Sequence, residues 1–207
     1  MSAILDRRPV NRGDRRRESL LAALDGLLET GGGLDSISIA DITGRAGVTR
    51  SAFYFYFENK AAAVAAAGEQ LFREVVDAAD LLVGDGDPVT RVRGAVRALY
   101  DAWRRHEHLF RALLDARAVS PAVREMWRAD SALFVEPVAA MVEAERAAGR
   151  APAGADPRAV ATVLLDVNER MLERLALGTD LDHEQLQSAV VDVWLRTLYG
   201  RPLGDPT

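Results

Sequence analysis

The chain has no cysteine among its 207 residues, which excludes disulfide bonds and thiolate metal sites. It also contains no uninterrupted apolar run of about 18 residues, the length that a membrane-spanning helix requires. No apolar segment typical of a signal peptide is visible near the N-terminus. We therefore expect a cytoplasmic protein that does not span a membrane.

The sequence also has few features of β-structure. Runs of β-branched residues are short, and no segment alternates strictly between apolar and polar residues over the length of a strand. Alanine and leucine dominate a composition that is 49% hydrophobic, which is enough for a sizeable core. These patterns predict an all-α protein, in which glycine and proline breaks separate about nine helices.

Basic side chains are almost all arginine, since Lys60 is the only lysine among 26 basic residues. The net charge of −5 is unevenly distributed: residues 1–60 hold nine basic and eight acidic side chains, and the remainder carries −6. Six arginines and a single aspartate lie in residues 7–17. Such a basic arm is compatible with local binding of phosphate groups, and a tail surrounded by solvent is the alternative.

Residues 38–56 have the pattern of two short helices joined by a glycine turn. Ser38 is placed to cap the first helix by accepting a free backbone N–H, and Thr49 is placed to cap the second. Gly47 between them can adopt a positive φ without steric cost, as a tight turn requires. The second helix offers four polar side chains to solvent: Arg50, Ser51, Tyr54 and Tyr56. This arrangement is typical of a helix-turn-helix that binds DNA.

Arg50 is the strongest candidate for base recognition. Its guanidinium can donate two hydrogen bonds to guanine O6 and N7 in the major groove, a contact worth roughly 1–3 kcal/mol of discrimination. Ser51 can contact a base edge. Ser38 and Arg45 are weaker candidates for phosphate contacts, and Thr49 is also counted among the DNA-binding residues.

Residues 39–60 resemble the DNA-binding signature of the TetR family of bacterial one-component repressors: they read Ile-Ala-Asp-Ile-Thr-Gly-Arg-Ala-Gly-Val-Thr-Arg-Ser-Ala-Phe-Tyr-Phe-Tyr-Phe-Glu-Asn-Lys. The resemblance implies a three-helix DNA-binding domain followed by a larger helical domain. It also implies phosphate contacts by Tyr54, Tyr56 and Lys60. For the two tyrosines, the alternative is partial burial in an aromatic cluster. The other members of that cluster would be Phe53, Phe55 and Phe57.

The predicted breaks divide the chain into four parts. These are a flexible basic arm (1–13), the helix-turn-helix DNA-binding domain (14–60), a connecting helix (61–83), and a ligand-binding and dimerisation domain (84–207). We expect the connecting helix to be continuous from about Glu58 to Leu82, where a glycine-rich breaker ends it. A later helix, opened by Ser120 and proline, should run to Gly149 with a kink near Pro137.

The later two-thirds of the chain shows no catalytic signature. His106 and His108 lack the i, i+4 spacing of a helical zinc site, and no third ligand lies nearby in the sequence. No nucleophile–base pair and no phosphate-binding loop is recognisable. We therefore expect a protein that is not an enzyme and that requires no metal or cofactor.

Three motifs of this part resemble the ligand domain of one TetR subgroup, the ethionamide-resistance repressors: Trp127, Val-Asn-Glu-Arg at 167–170, and Val-Trp-Leu-Arg-Thr-Leu-Tyr-Gly at 193–200. The resemblance implies a long apolar and aromatic channel that ends at an asparagine. Carried over by position, its lining is Trp103, Trp127, Phe134, Asn168 and Trp194. Helical spacing adds Tyr100, Phe110 and Met171. Leu165 stands where the relatives have a second asparagine, and an ordinary core is the alternative for each tryptophan.

The last two helices carry apolar residues that the resemblance places in a four-helix dimer interface. These residues are Leu172, Leu175, Leu186, Val190, Val193 and Leu198. The alternative is that they close the core of a monomer. A homodimer suits a palindromic operator in double-stranded DNA, because two recognition helices must reach major grooves about 34–36 Å apart.

We therefore predict a homodimeric repressor that a hydrophobic small-molecule effector releases from its operator. The alternative is a protein that binds or sequesters small molecules without binding a specific operator. Within the first hypothesis, a role as an activator of transcription stays open.

Overall fold

The computed structural model describes residues 12–31, 33–83 and 86–200, with side chains from residue 15 onward. All regular elements in these segments are helical, which confirms the all-α fold class. A short 3-10 helix spans Leu34–Ser36. The α-helices are α1 (Arg12–Glu29), α2 (Ile39–Ala46), α3 (Arg50–Tyr56), α4 (Lys60–Ala67), α5 (Glu69–Val83), α6 (Pro88–Arg105), α7 (Glu107–Val119), α8 (Pro121–Ala132), α9 (Val135–Ala147), α10 (Pro157–Leu177) and α11 (His183–Tyr199).

The expected connecting helix is not continuous, because the chain breaks at Gly68 between α4 and α5. This glycine lies against α7, where a Cβ at residue 68 would stand only 3.0 Å from the Leu113 Cδ1 atom. The close contact between helices explains both the small residue and the break. Counting α4–α5 and α8–α9 as two broken helices gives nine helices in the part of the chain that the structure describes.

The expected kink near Pro137 is displaced toward the N-terminus. The chain breaks at Leu133 and Phe134, and Pro137 is the third residue of the helix that follows. Proline is tolerated there because the backbone N–H groups of a first helical turn have no partner within the helix. The proline therefore helps to begin α9 instead of bending a longer helix.

The first helix begins at Arg12, slightly before the predicted start at Asp14. Most of the predicted arm (1–13) lies outside the described residues. Arg17 joins α1 to the rest of the molecule: its Nη2 donates to Glu69 Oε1 at 3.0 Å, and its guanidinium carbon lies 5.9 Å from the centre of the Phe57 ring.

Polar caps begin three of the later helices, and the cap at Ser120 is the predicted one. Ser120 caps α8 and Asp156 caps α10, each followed by proline at the first helical position. Asp182 caps α11 and forms a reciprocal capping box with Gln185. These starts depend on local hydrogen bonds, which is why they are readable from the sequence.

The DNA-binding bundle has its own small core between α1, α2 and α3. Leu20, Leu24, Ile42 and Phe53 are almost completely buried in it. Helix α4 packs against α1 on one side and α7 on the other. It therefore connects this bundle to the larger C-terminal bundle through direct contacts as well as through the chain.

The expected dimer-interface residues lie mostly inside the monomer. Five of the six are buried against the chain's own helices: Leu172, Leu175, Leu186, Val190 and Leu198. Only Val193 is exposed, at 41%. The assignment of the five buried residues to an interface is therefore wrong, because helical periodicity identifies an apolar face without identifying its partner.

A buried ion cluster joins α6 to the end of α9. Glu145 is 2% exposed, and its Oε1 accepts a hydrogen bond from Arg91 Nη2 at 2.6 Å. Its Oε2 accepts from Arg150 Nε at 2.9 Å. Hydrogen bonds from Arg150 and Arg91 lower the pKa of the Glu145 carboxyl to about 2, although burial acts in the opposite direction. Arg91 also donates to the Leu82 carbonyl at 3.1 Å, which extends the cluster to α5.

Within residues 12–31, 33–83 and 86–200, no helix combines the length and the apolar character needed to cross a lipid bilayer.

Candidate nucleic-acid interface and ligand cavity

The two helices of the helix-turn-helix are held by the caps that the sequence predicts. The Ser38 Oγ accepts the Asp41 N–H at 3.2 Å, and the Asp41 carboxylate accepts the Ser38 N–H at 2.8 Å. Hydrogen bonds from the Ser38 side chain and backbone lower the pKa of Asp41. Thr49 caps α3 by accepting the Ala52 N–H at 3.2 Å. The hydroxyl oxygens of Ser38 and Thr49 therefore position the helices, and their predicted DNA contacts stay predictions.

Gly47 makes the turn between α2 and α3 in the left-handed region, with φ +66°. Replacing it with alanine should lower the free energy of unfolding by about 1 kcal/mol, because a Cβ is crowded in this conformation. Urea denaturation followed by circular dichroism measures the change.

Gly44→Ala is the matched control for the turn. Gly44 lies within α2, and a Cβ there would meet no neighbouring atom. Alanine at this position should stabilise the protein by roughly 0.5–1 kcal/mol. A loss of stability of the same size in both variants would contradict a specific role for the backbone of Gly47.

The exposed face of α3 carries the predicted base-reading residues. Arg50, Ser51 and Tyr54 are all exposed. The Arg50 Nη2 donates to the Tyr54 hydroxyl at 3.4 Å, and the Arg50 guanidinium lies 5.8 Å from the centre of the Tyr54 ring. Tyr56 is half-buried and packs against the core. The structure thus places three of the predicted residues together on one open surface.

Phe55 does not belong to the aromatic core, contrary to its place in the expected cluster. Its side chain is 80% exposed, whereas Phe53 and Phe57 are buried. Two residues along an α-helix turn the side chain about 200° around the axis, so burial of Phe53 directs Phe55 outward. Phe55 is a site candidate that the sequence analysis missed. The available signal was its place two residues after the apolar Phe53 and next to Tyr54, which puts it on the solvent side of the helix.

Lys60 and Arg45, the other two basic residues predicted to contact DNA, both make contacts within the protein. The Lys60 Nζ donates to the carbonyl oxygens of Leu34 and Ile37 at 2.7 and 2.6 Å. The Arg45 guanidinium lies over Gly26 of α1, where a Cβ would stand 2.6 Å from Arg45 Nη2. Lys60 therefore ties the start of α4 to the 3-10 helix, a role that the sequence analysis did not foresee.

A cavity of about 610 Å³ lies inside the C-terminal bundle, and the eight helices from α4 to α11 form its wall. Six of the eight predicted lining residues face it: Trp103, Phe110, Trp127, Phe134, Asn168 and Trp194. Most of the remaining wall is aliphatic or aromatic and includes Phe72, Leu99 and Leu165. The structure therefore brings these nine residues, which come from six helices and the α8–α9 junction, together around one apolar space.

Tyr100 and Met171 do not line the cavity, and their assignment to it is wrong. Each directly adjoins a lining residue, Leu99 or Leu172, and one residue turns a side chain about 100° around a helix. Tyr100 is instead buried in the core, and burial raises its pKa to about 12. Met171 is half-buried and packs against the core.

Two family models match the chain. The model of the bacterial regulatory proteins of the tetR family matches residues 28–67, and the model of the C-terminal domain of the transcriptional regulator EthR matches residues 92–200. The chain is also 30% identical over 197 residues to the HTH-type transcriptional regulator EthR of Mycobacterium tuberculosis (strain CDC 1551 / Oshkosh), covering 91% of this chain and 89% of that protein. The chain belongs to the TetR family.

Further comparisons agree with this membership. The EthR regulator of Mycolicibacterium smegmatis is 30% identical over 198 residues, covering 93% of this chain and 90% of that protein. The fold is similar to that of NalD, described as the secondary repressor of the MexAB-OprM multidrug efflux pump in Pseudomonas aeruginosa. That similarity has a TM-score of 0.70 at 21% identity and covers 90% of this chain and 98% of NalD. This TetR-family protein is a DNA-binding regulator of transcription.

The polar groups of the cavity in this TetR-family regulator are only partly used within the protein. The Asn168 Oδ1 accepts a hydrogen bond from Trp194 Nε1 at 3.0 Å. The Asn168 Nδ2 donates to no other residue that the structure describes. The Trp103 Nε1 is buried, also without a partner in the described part. The side-chain N–H groups of Asn168 are donors on the cavity wall, so a ligand with an acceptor such as a carbonyl oxygen matches this residue.

Helix α5 supplies a wall of the cavity that the sequence analysis did not predict. Leu71, Phe72, Val75 and Leu82 line the space. Their helical spacing was visible, but spacing alone does not distinguish a tightly packed core from the wall of a cavity. That distinction depends on how closely the facing helices approach.

Two of the three histidines of the regulator each contact one carboxylate. The His106 Nε2 lies 3.0 Å from Glu74 Oε1, and the His108 Nε2 lies 2.9 Å from Asp25 Oδ1. In the described segments, no group of three or more histidine, cysteine, aspartate or glutamate side chains is placed to hold a metal ion.

Proposed function

We propose that this TetR-family regulator is a homodimeric repressor that a hydrophobic small molecule releases from a palindromic operator. The observation that carries the proposal is the aromatic and aliphatic cavity of about 610 Å³. Its volume lies within the range of about 300–1,000 Å³ that is usual for small-molecule sites. We also propose that the protein acts in the cytoplasm, and by binding instead of catalysis.

Helix α4 supports a connection between the cavity and DNA. Its Ala65, with Gly68 just beyond its end, contributes to the cavity wall, while its first residue, Lys60, contacts the DNA-binding bundle. A ligand releases DNA only if it favours a state in which the two recognition helices are wrongly spaced. A displacement of α4 by a bound ligand would change that spacing directly.

The outer faces of α10 and α11 support the dimer. Val163, Leu177 and Val193 are exposed apolar residues on these helices, and Leu181 is exposed in the loop between them. Pairing of the two helices with their copies would bury all four side chains. This interface uses residues that face away from the monomer core, unlike the five buried residues first assigned to it.

On DNA, we assign base recognition to Arg50 and Ser51, and an apolar base contact to Phe55. Tyr54 and Tyr56 are proposed to contact phosphates from the same face. The proposed DNA contacts at helix ends come from Ser38, Arg45, Thr49 and Lys60.

Arg50→Ala should weaken binding to the specific operator by roughly 10- to 100-fold, because it removes a contact worth about 1–3 kcal/mol. Binding to random DNA should change much less. Gel shifts on the intergenic DNA upstream of the gene, with random DNA as competitor and salt varied, measure both quantities. Arg93→Ala is the matched control, since Arg93 is an exposed arginine on α6, outside the DNA-binding bundle.

Equal loss of binding to specific and random DNA in Arg50→Ala would overturn the base-reading role. If the unaltered protein shows no preference for the upstream DNA at any salt concentration, the repressor proposal fails for that site. The alternative hypothesis of a small-molecule sequestering protein would then be favoured.

A further inference from the structure

The charged residues around the cavity are mostly acidic. Four carboxylates line it, from Glu69, Asp130, Asp166 and Glu169, against the single cation of Arg128. The Arg128 guanidinium pairs with Glu125 at 3.2 Å, and its side chain is 72% exposed. The positive charge is therefore directed toward solvent, away from the carboxylates.

Two of the four carboxylates are already neutralised within the protein. Glu69 pairs with Arg17 at 3.0 Å. The Glu169 Oε1 accepts hydrogen bonds from Arg117 Nη1 at 2.7 Å and from Trp127 Nε1 at 2.8 Å. These two residues therefore offer little unbalanced charge to a ligand.

The other two carboxylates have no such partner. Asp130 and Asp166 form no ion pair or side-chain hydrogen bond with any residue that the structure describes. Asp166 is exposed, whereas Asp130 is half-buried, and burial raises the pKa of its carboxyl. A carboxylate that is partly removed from water without a compensating cation is unfavourable for the empty protein.

The cavity wall around Asp130 matches a ligand that combines a positive charge with an apolar portion. Its neighbour Ser131 hydrogen-bonds Glu169 at 3.4 Å, which places this turn of α8 beside the acidic face of α10. Phe134, four residues after Asp130, lines the cavity, and so does Trp127, whose ring centre already lies 4.7 Å from the Arg117 guanidinium carbon. Aromatic faces attract organic cations, and the remaining aliphatic wall accommodates a hydrocarbon portion.

We infer that the effector of this regulator is a lipophilic cation, whose positive group binds the Asp130 carboxylate while its apolar body fills the cavity. This inference rests on the proposed function and specifies the chemical class of its ligand. The bound cation provides the partner that Asp130 lacks in the protein alone. Asp166 adds a second, more exposed negative charge to the cavity wall.

The test uses two probes of the same shape and different charge. Phenylbutyl-trimethylammonium is the cation, and its neutral isostere has a quaternary carbon in place of nitrogen. All three tryptophans of the chain line the cavity, so intrinsic fluorescence reports binding of either probe. Isothermal calorimetry on the full chain gives the dissociation constants independently.

Asp130→Asn should weaken binding of the cation by about tenfold and change binding of the neutral isostere by less than about twofold. Glu143→Gln is the matched control, because Glu143 is an exposed carboxylate on α9, outside the cavity lining. It should change neither affinity. Thermal melts should show Asp130→Asn folded and at least as stable as the unaltered protein, since its carboxylate forms no bond that the substitution breaks.

Two results would separately contradict the cation inference and the proposed binding of an effector. If both probes bind and Asp130→Asn affects them equally, the cation inference is wrong while the ligand cavity stands. If neither probe quenches tryptophan fluorescence or gives heat, the effector-binding part of the proposed function fails as well. Release of operator DNA by the cation at lower concentration than by the isostere would extend the result to regulation.

Discussion

Glu145→Gln should lower the free energy of unfolding by about 3 kcal/mol, because it removes the shared partner of a buried ion cluster. The Glu145 side chain is 2% exposed and that of Arg91 is 14% exposed. Without the carboxylate, the largely buried Arg91 guanidinium keeps its charge and loses its 2.6 Å ion pair with Glu145, which helps to compensate its removal from water. Thermal or urea denaturation measures the loss.

The same cluster should give the protein a characteristic acid sensitivity. The folded pKa of Glu145 is about 2 against an ordinary value of 4.5, so its contribution to stability is complete above pH 4.5. As the pH falls from 4.5 through about 2, the unfolded chain binds the proton first, and the contribution is lost. The difference in stability between the unaltered protein and Glu145→Gln should therefore shrink across this interval.

Glu136→Gln is the matched control for the cluster. Glu136 lies on the same helix and pairs with Arg158 at 3.1 Å, but its side chain is 68% exposed. An exposed ion pair contributes little, so this variant should unfold almost like the unaltered protein. If Glu145→Gln were equally harmless, the cluster would not stabilise the junction of α6 and α9.

Lys60→Met should destabilise the DNA-binding bundle by about 3 kcal/mol and weaken DNA binding. The variant keeps most of the alkyl chain but loses both hydrogen bonds from the ammonium to the carbonyls of Leu34 and Ile37. A hydrogen bond to a charged group contributes about 1.5–3 kcal/mol, and half-buried carbonyls lose their partner. Chemical denaturation measures the stability, and gel shifts measure DNA binding.

The salt dependence of DNA binding separates the two roles of Lys60. If it also contacts a phosphate, the slope of log affinity against log salt should fall by about one in Lys60→Met. An unchanged slope would show that Lys60 stabilises the fold without contacting a phosphate. Arg73→Met is the control, since Arg73 is an exposed cation on α5 that donates, among the residues the structure describes, only to Gln70 of the same helix, at 2.6 Å. It should change neither stability nor slope appreciably.

The features that the sequence predicts well depend on neighbours in the chain. Ser38 and Thr49 cap their helices, and Gly47 adopts the predicted left-handed turn. Ser120 and the proline after it begin α8 where expected. Each of these features is produced by hydrogen bonds or steric limits within about four residues, so no tertiary contact is needed to infer it.

The features that the sequence predicts poorly depend on which surface a residue meets. Leu99 and Tyr100 are both apolar positions of α6, yet only Leu99 reaches the cavity. Five apolar residues of α10 and α11 turn toward their own monomer instead of a partner. Periodicity defines the faces of a helix, but the packing of other helices decides which face meets a core, a cavity or solvent.

The sequence by itself therefore determined the all-α class, the helix-turn-helix and the family of this regulator, because these follow from local pattern and motif. Only the tertiary structure decided that Lys60 holds the 3-10 helix, that Phe55 is exposed, and that Asn168 accepts from Trp194 across 26 residues of chain. It also left the Asp130 carboxylate without a partner among the described residues, in a cavity lined by the eight helices from α4 to α11. The reason is physical: distant residues meet only after the helices have packed, and the charge and hydrogen-bond balance of a site is set by that packing.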